Sequence, residues 1–274
     1  MKHILYSIAT LIVATLFISC DPIQDDKSMG EVVTSVDQIN ATVTAVVHDG
    51  KNTNKVKVNC TSPVSCQWTD GVNILTSTEG ELTLVVEGAQ TITLKAMAAD
   101  GTIFEKAFNY TVEDMYYEVD PEYGYFFGTG TKTWTWAATG CFGNGGGSDT
   151  GPAWWVLNPE DIEEQCAGKN LPLDGKGATM KFVLSGKKMT KTTMTGVEYA
   201  GSMEFNMTTG SDWSKGTVTF TNTNILCGYD FNDANFAAWS TYNIIELTDD
   251  RMVLAAQEHS PNTNYWYWVF VPQE

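Results

Sequence analysis

The chain predicts an all-β protein of two domains, a small N-terminal β-sandwich followed by a second antiparallel β-sandwich or barrel. Short runs that alternate apolar and polar residues recur along most of its length, separated by Asp-Gly and Glu-Gly pairs. Only one stretch carries helix-starting signals. The length, 274 residues with 43% hydrophobic and 12% aromatic, suits about two globular domains.

Residues 1–19 stand outside the fold. Lys2 and His3 lead an apolar run over 4–18 that ends at Ser19-Cys20. The run is too short for a span of about 20 residues, and it meets a small residue and a cysteine that can carry lipid. This resembles a bacterial lipoprotein signal, which implies lipidation at Cys20 and a lipid anchor in the outer membrane. Residues 20–30 are polar and acidic and read as a tether. An acidic run just after the lipidated cysteine resembles the surface-export signal of Bacteroidetes lipoproteins.

Residues 31–114 give the runs VVTSV, ATVTAVV, KVKVNC, CQW, LTLVV, TITLKAMA and FNYTV, with turns at Asp49-Gly50, Asp70-Gly71, Glu79-Gly80 and Asp100-Gly101. This spacing predicts a sandwich with Trp68 in its core. The order CQWTDG, a hydrophobic strand, then QTITLKAMAADG resembles the PKD-type immunoglobulin-like module. Residues 115–130 are the boundary. They include EVDPE at 118–122, which resembles the E-x-D-x-E strand motif of a jelly-roll glycosidase family, but Pro121 removes a ladder donor from any such strand.

Residues 131–274 predict a second β domain through the runs TWTWAA, ATMKFVLS, KMTKTTMT, EYAGSMEFNM, KGTVTFTN, YNIIELT, RMVLAAQE and YWYWVFVP. Short links such as Gly186-Lys187 favour an antiparallel meander. One short helix is expected, with Asn158 as N-cap, Pro159 at the first helical position and acidic residues in its first turn.

Composition narrows the function. A formal charge of −17 argues against a nucleic-acid partner, and Arg251 as sole arginine against a bidentate anion grip. Beyond Cys20 the cysteines are Cys60, Cys66, Cys141, Cys166 and Cys227, with no CxxC, so no metal site is expected. Cys60 and Cys66 flank a Pro-containing turn, where a disulfide is open. His48 and His259 fall in different domains, which argues against a nucleophile–histidine device. The glycine run GNGGGSDTG at 143–151 lacks a GK[ST] ending and reads as a flexible loop over a site, not as regular structure. YDFNDAN at 229–235 offers Asp230, Asn232 and Asp233 as calcium ligands, but without the turn glycine and closing glutamate it reads better as a polar loop.

Aromatic rings beside amides and carboxylates are the stronger signal. Such rings stack on C–H-rich sugar faces while polar groups bond the hydroxyls. The candidate ligand residues are Trp154, Trp155 and Trp239 as platforms with Asn144, Asp149 and Asp233 as polar partners. Trp134 and Trp136, two apart on a strand, read as core. Trp154 and Trp155 are adjacent and cannot share a strand face, so one of them is expected to be buried. The lipoprotein start, the PKD-like module, W-x-W, the glycine loop ending in P-x-W-W, and the closing strands LTDDRMVL and WYWVFVP together resemble glycan-binding lipoproteins of Bacteroidetes polysaccharide-utilisation systems. That resemblance implies a non-catalytic protein holding a neutral polysaccharide or oligosaccharide at the cell surface, near a glycan transporter complex, with no cofactor. The closing strands also resemble lipocalin-like domains, so jelly-roll and barrel stay open. The rival functions are a glycoside hydrolase using Glu118, Asp120 and Glu122, or Glu198 and Glu204, and a lipocalin-like or structural lipoprotein.

Overall fold

The computed structural model describes residues 32–260 and 263–274. The signal at 1–19, Cys20 and the acidic tether lie outside the described residues. None of the described helices is long and apolar enough to cross a membrane.

The first domain packs a three-stranded sheet on a four-stranded one. β1 (Ala41–His48) and β2 (Lys51–Cys60) pair with a later strand, and β3 (Ser65–Thr69) and β4 (Ile74–Leu75) belong to the opposite sheet. Adding β5 (Glu79–Thr83), β6 (Gly88–Met97) and β7 (Ile103–Val112) gives the orders β1-β2-β5 and β4-β3-β6-β7, all antiparallel. Trp68 is fully buried between the sheets, its Nε1 donating to the Ser77 carbonyl at 3.1 Å. Two expected strands are corrected. The VVTSV run forms no strand, because Gln38 Oε1 accepts the N–H groups of Thr34 and Ser35 and folds the chain into a 3-10 turn at Val36–Gln38. LTLVV stops being strand after Thr83, and Val85 and Val86 leave the sheet to join the core of the second domain.

α1 (Glu122–Phe127) lies within the expected boundary segment. Phe126 and Phe127 are fully buried in the core of the second domain, with Phe126 against Phe182 and Phe205. Glu118 and Asp120 lie on irregular chain and Glu122 on this helix, so the three carboxylates do not share a strand face.

The second domain opens with β8 (Thr131–Trp136), β9 (Phe142–Gly146), β10 (Trp155–Leu157) and the helix α2 (Pro159–Gly168). The predicted helix starts where expected, with Pro159 first and the Asp161 carboxylate accepting the Asn158 N–H at 3.0 Å. The chain then meanders through β11 (Thr179–Val183), β12 (Lys188–Thr192), β13 (Glu198–Asn206), β14 (Gly216–Thr221), β15 (Thr241–Leu247), β16 (Met252–Gln257) and β17 (Asn264–Pro272). Each is antiparallel to the next, and β17 returns to pair with β8, so eight strands close a barrel. Of the two architectures left open by the sequence, the barrel is the one formed. β17 is shared: Phe270–Pro272 pair with β8 and 264–268 pair with β9, which carries β10 beyond the barrel wall.

The barrel interior is a packed core. Phe182, Phe220, Tyr242, Trp268, Phe142, Trp136 and Phe270 are buried and touch in a chain of ring contacts, as for Trp136 with Phe270 at 4.9 Å and Tyr242 with Trp268 at 5.3 Å. α1 plugs the end marked by Trp134, whose Nε1 donates to the Phe126 carbonyl at 3.4 Å. α2 and the chain over 222–240 cover the other end.

The glycine run is corrected: Gly143, Gly145 and Gly146 belong to β9. A Cβ on Gly143 would sit 1.9 Å from the Trp155 carbonyl oxygen, and one on Gly145 would sit 2.7 Å from Asp149 Oδ2 and 3.2 Å from the Tyr267 ring. The glycines let β10 and the Asp149 turn pack onto this strand, an approach that no larger residue permits.

Candidate functional site

Strand register assembles the most suggestive site. Trp155 of β10 lies opposite Asn144 of β9, and Asn144 lies opposite Trp266 of β17. Directly opposed residues share a sheet face, so these three side chains form one row at the covered end of the barrel. α2 adds Gln165, its C-cap Lys169 follows, and the chain after β14 adds Phe231 and Asn232. Together they line an open cleft of about 260 Å³.

Its floor is aromatic. The half-buried Trp155 ring stands perpendicular to Trp266 at 5.8 Å and lies 6.3 Å from Phe231, while Phe142 stacks on Trp266 from beneath at 5.2 Å. Its rim is mostly neutral and polar. Asn144 Oδ1 accepts the Trp155 N–H at 3.2 Å, which leaves its Nδ2 to offer a ligand. Asn232 Nδ2 donates to the buried Glu258 at 2.8 Å, which leaves its Oδ1 to accept. Lys169 Nζ sits 5.3 Å from the Phe231 ring centre and 5.5 Å from that of Phe236, so its charge is partly satisfied by ring faces.

A buried carboxylate fixes this wall. Asp230 has no exposed surface, and its oxygens accept Trp266 Nε1 at 3.0 Å, the Asn232 N–H at 3.0 Å and the His259 N–H at 2.7 Å. His259 Nδ1 lies 3.2 Å from the same carboxylate, and Trp239 stacks on the imidazole at 4.7 Å. Asp230 is therefore an acceptor hub for the site; among the described residues no group of three or more acidic, histidine or cysteine side chains comes together as a metal cluster. The Trp239–His259–Asp230 stack contains no serine or cysteine hydroxyl or thiol bonded to the imidazole among the described residues.

The six predicted ligand residues separate. Trp155 and Asn144 line the cleft. Trp154 is 60% exposed and its ring lies over Gly146, away from that row. Asp149 closes a turn by accepting the Gly146 N–H at 2.7 Å, and its carbonyl accepts Trp213 Nε1 at 2.7 Å. Asp233 caps a turn through the Asn235 and Ala237 N–H groups, which hold its carboxyl below the usual range. Trp239 packs on Trp268 and donates to the Gln257 carbonyl at 2.9 Å. The expectation for the Trp154-Trp155 pair is met in kind, one ring outward and the other half-buried. Gln165, Lys169 and Phe231 were not singled out from sequence. Gln165 lies in the last turns of α2 and Lys169 is its C-cap, four residues on, so the two come to the same side of the helix end.

Two other places are less suited to a ligand. A larger cavity, about 480 Å³, lies between the domains and is lined by Thr69, Asp70, Gln90, Thr91, Thr129 and Ser185 with no aromatic ring. Glu198 and Glu204 are six residues apart on β13, about 20 Å along a strand, whereas retaining hydrolysis needs carboxyls about 5 Å apart. Glu204 is also paired with Lys187.

Compared with protein-family models the chain gives no match, and compared with curated proteins it gives no significant relative.

Proposed function

We propose that this protein is a non-catalytic carbohydrate-binding lipoprotein, anchored in the outer membrane through Cys20, that holds a neutral glycan in the Trp155 cleft for partner uptake or degradation proteins. The observation that carries the reading is the row Trp155, Asn144 and Trp266, an aromatic floor beside amide groups in an open cleft at the covered end of the barrel. Rings offer stacking area at low entropic cost, and the amides of Asn144, Gln165 and Asn232 both donate and accept, as vicinal hydroxyls require. At about 260 Å³ the cleft is smaller than the roughly 300–1,000 Å³ of sites enclosing drug-sized ligands, which favours a chain end or one or two sugar units. The packed barrel interior weighs against an enclosed apolar ligand, and the scattered carboxylates weigh against paired-acid hydrolysis. The PKD-like sandwich then serves as a spacer.

Calorimetry and affinity electrophoresis against a panel of neutral polysaccharides and their oligosaccharides test this. Binding is expected with Trp fluorescence quenching. Gln165→Ala, on the helix surface, is expected to weaken it several-fold and Trp155→Ala at least about tenfold. Trp154→Ala is expected to change it less than about twofold. Absence of binding across the panel, or loss with Trp154→Ala alone, would sink the assignment.

A further inference from the structure

Cys166 of α2 and Cys227, in the chain that leads to Phe231 and Asn232, meet behind the cleft. Both are buried, with 0% and 1% of their surface exposed, and their sulfurs lie 3.6 Å apart. We infer that Cys166 and Cys227 are joined by a disulfide in the mature protein, stapling the two walls of the cleft.

Several observations converge on this pair. Cys227 holds a left-handed backbone (φ 48°), a conformation uncommon for a side-chain-bearing residue. That geometry is fixed from both sides: its N–H donates to the buried Asp174 at 2.7 Å, and its carbonyl accepts Trp268 Nε1 at 3.1 Å. The chain thus spends backbone strain and a buried carboxylate to hold this sulfur against Cys166. The five described cysteines also sort by neighbour. Cys60 and Cys66 interact in the sandwich, Cys166 and Cys227 in the barrel, and the Cys141 thiol points to the Leu157 carbonyl. No metal cluster among the described residues accounts for either pair.

The chemistry places the bond before burial. Thiolates attack disulfides, and burial together with the neighbouring Cys166 thiol pushes the Cys227 thiol well above its ordinary range, so the folded thiol form is inert. Oxidation therefore proceeds in the partly folded chain by exchange with an oxidised dithiol carrier. One cysteine thiolate attacks a carrier sulfur and displaces the other as thiolate. The second cysteine then attacks the mixed disulfide and releases the reduced carrier. Both electrons go to the carrier disulfide and both cysteine protons go to solvent or to the carrier thiolates.

The bond closes a separation of 61 residues, enough for it to matter to stability. The test uses the full-length chain refolded with oxidised and reduced glutathione. It is then unfolded in guanidinium with iodoacetamide and digested with trypsin and a glutamyl endopeptidase, which cuts at Glu163 and Glu164 between Cys141 and Cys166. A cross-linked peptide pair carrying Cys166 and Cys227, 2 Da lighter than the two thiol peptides together, is expected. Alkylation of both cysteines, or linkage of either to another cysteine, would overturn the inference. As a second readout, Cys166→Ser with Cys227→Ser is expected to lower Tm by about 10 °C in oxidised protein. An equal fall relative to protein folded under a reductant would mean that only packing is lost, and would also overturn it.

Discussion

Asp174 shows how a single side chain can set a pH response. It is buried, and removal from water raises its carboxyl from 3.8 to about 6, although the Gly175 and Cys227 N–H groups and Lys191 favour the ion. A carboxyl with a raised folded-state pKa stabilises the fold below its unfolded value and loses that contribution as pH rises through the folded one. Between about pH 4 and pH 7 the wild type is therefore expected to lose up to about 3 kcal/mol through this group, from a shift of about two units. Asp174→Asn should flatten that part of the stability curve. Urea melts of both proteins at several pH values in this window check it, and parallel curves would refute it. Nothing in the sequence marks Asp174, because its burial depends on the Cys227 turn some 50 residues later. Asp230 is different in degree: its loop was visible as a polar cluster, but its role as acceptor for Trp266 needed the fold.

At the scale of elements, β9 and β10 decide where the cleft forms. Gly143→Ala must displace the Trp155 backbone, so a loss of roughly 3 kcal/mol or more is expected, with the tryptophan environment altered. Gly151→Ala, with nothing within 4 Å of its Cβ position and an ordinary backbone, should stay within about 0.5 kcal/mol of wild type. Equal effects of the two would refute the close-approach account. Most strands were legible because one face of each is buried and the alternation survives in the sequence, as in TWTWAA and KGTVTFTN. β9 was not, since glycine carries no hydrophobic signal and its use here follows from what packs on it. The VVTSV run misled for the opposite reason: its apolar residues suit a strand, but the Gln38 side chain captures the backbone donors a strand would need.

The molecule as a whole joins a sandwich to a closed barrel through direct contacts. The Gly186 N–H donates to the Gly71 carbonyl at 2.8 Å, Gln90 Nε2 donates to the Thr129 carbonyl at 3.1 Å, and Val85 and Val86 enter the barrel core. If Cys20 carries lipid, Cys20→Ser should move the protein from the membrane to the soluble fraction and abolish labelling by a fatty-acid probe. Unchanged fractionation would refute the anchor. The two-domain layout and the barrel's meander could be read from run lengths and short links. Closure could not, because it depends on β8 and β17 meeting across most of the domain. That shared strand has a kinetic meaning. β17 simultaneously seals the barrel against β8 and supports β9, so neither the closed wall nor the ligand row is complete until this strand has docked. Contacts of such long sequence separation form late and slowly. Until β17 docks, the edges of β8 and β16 have no partner, and unpaired edges of this kind invite misassembly.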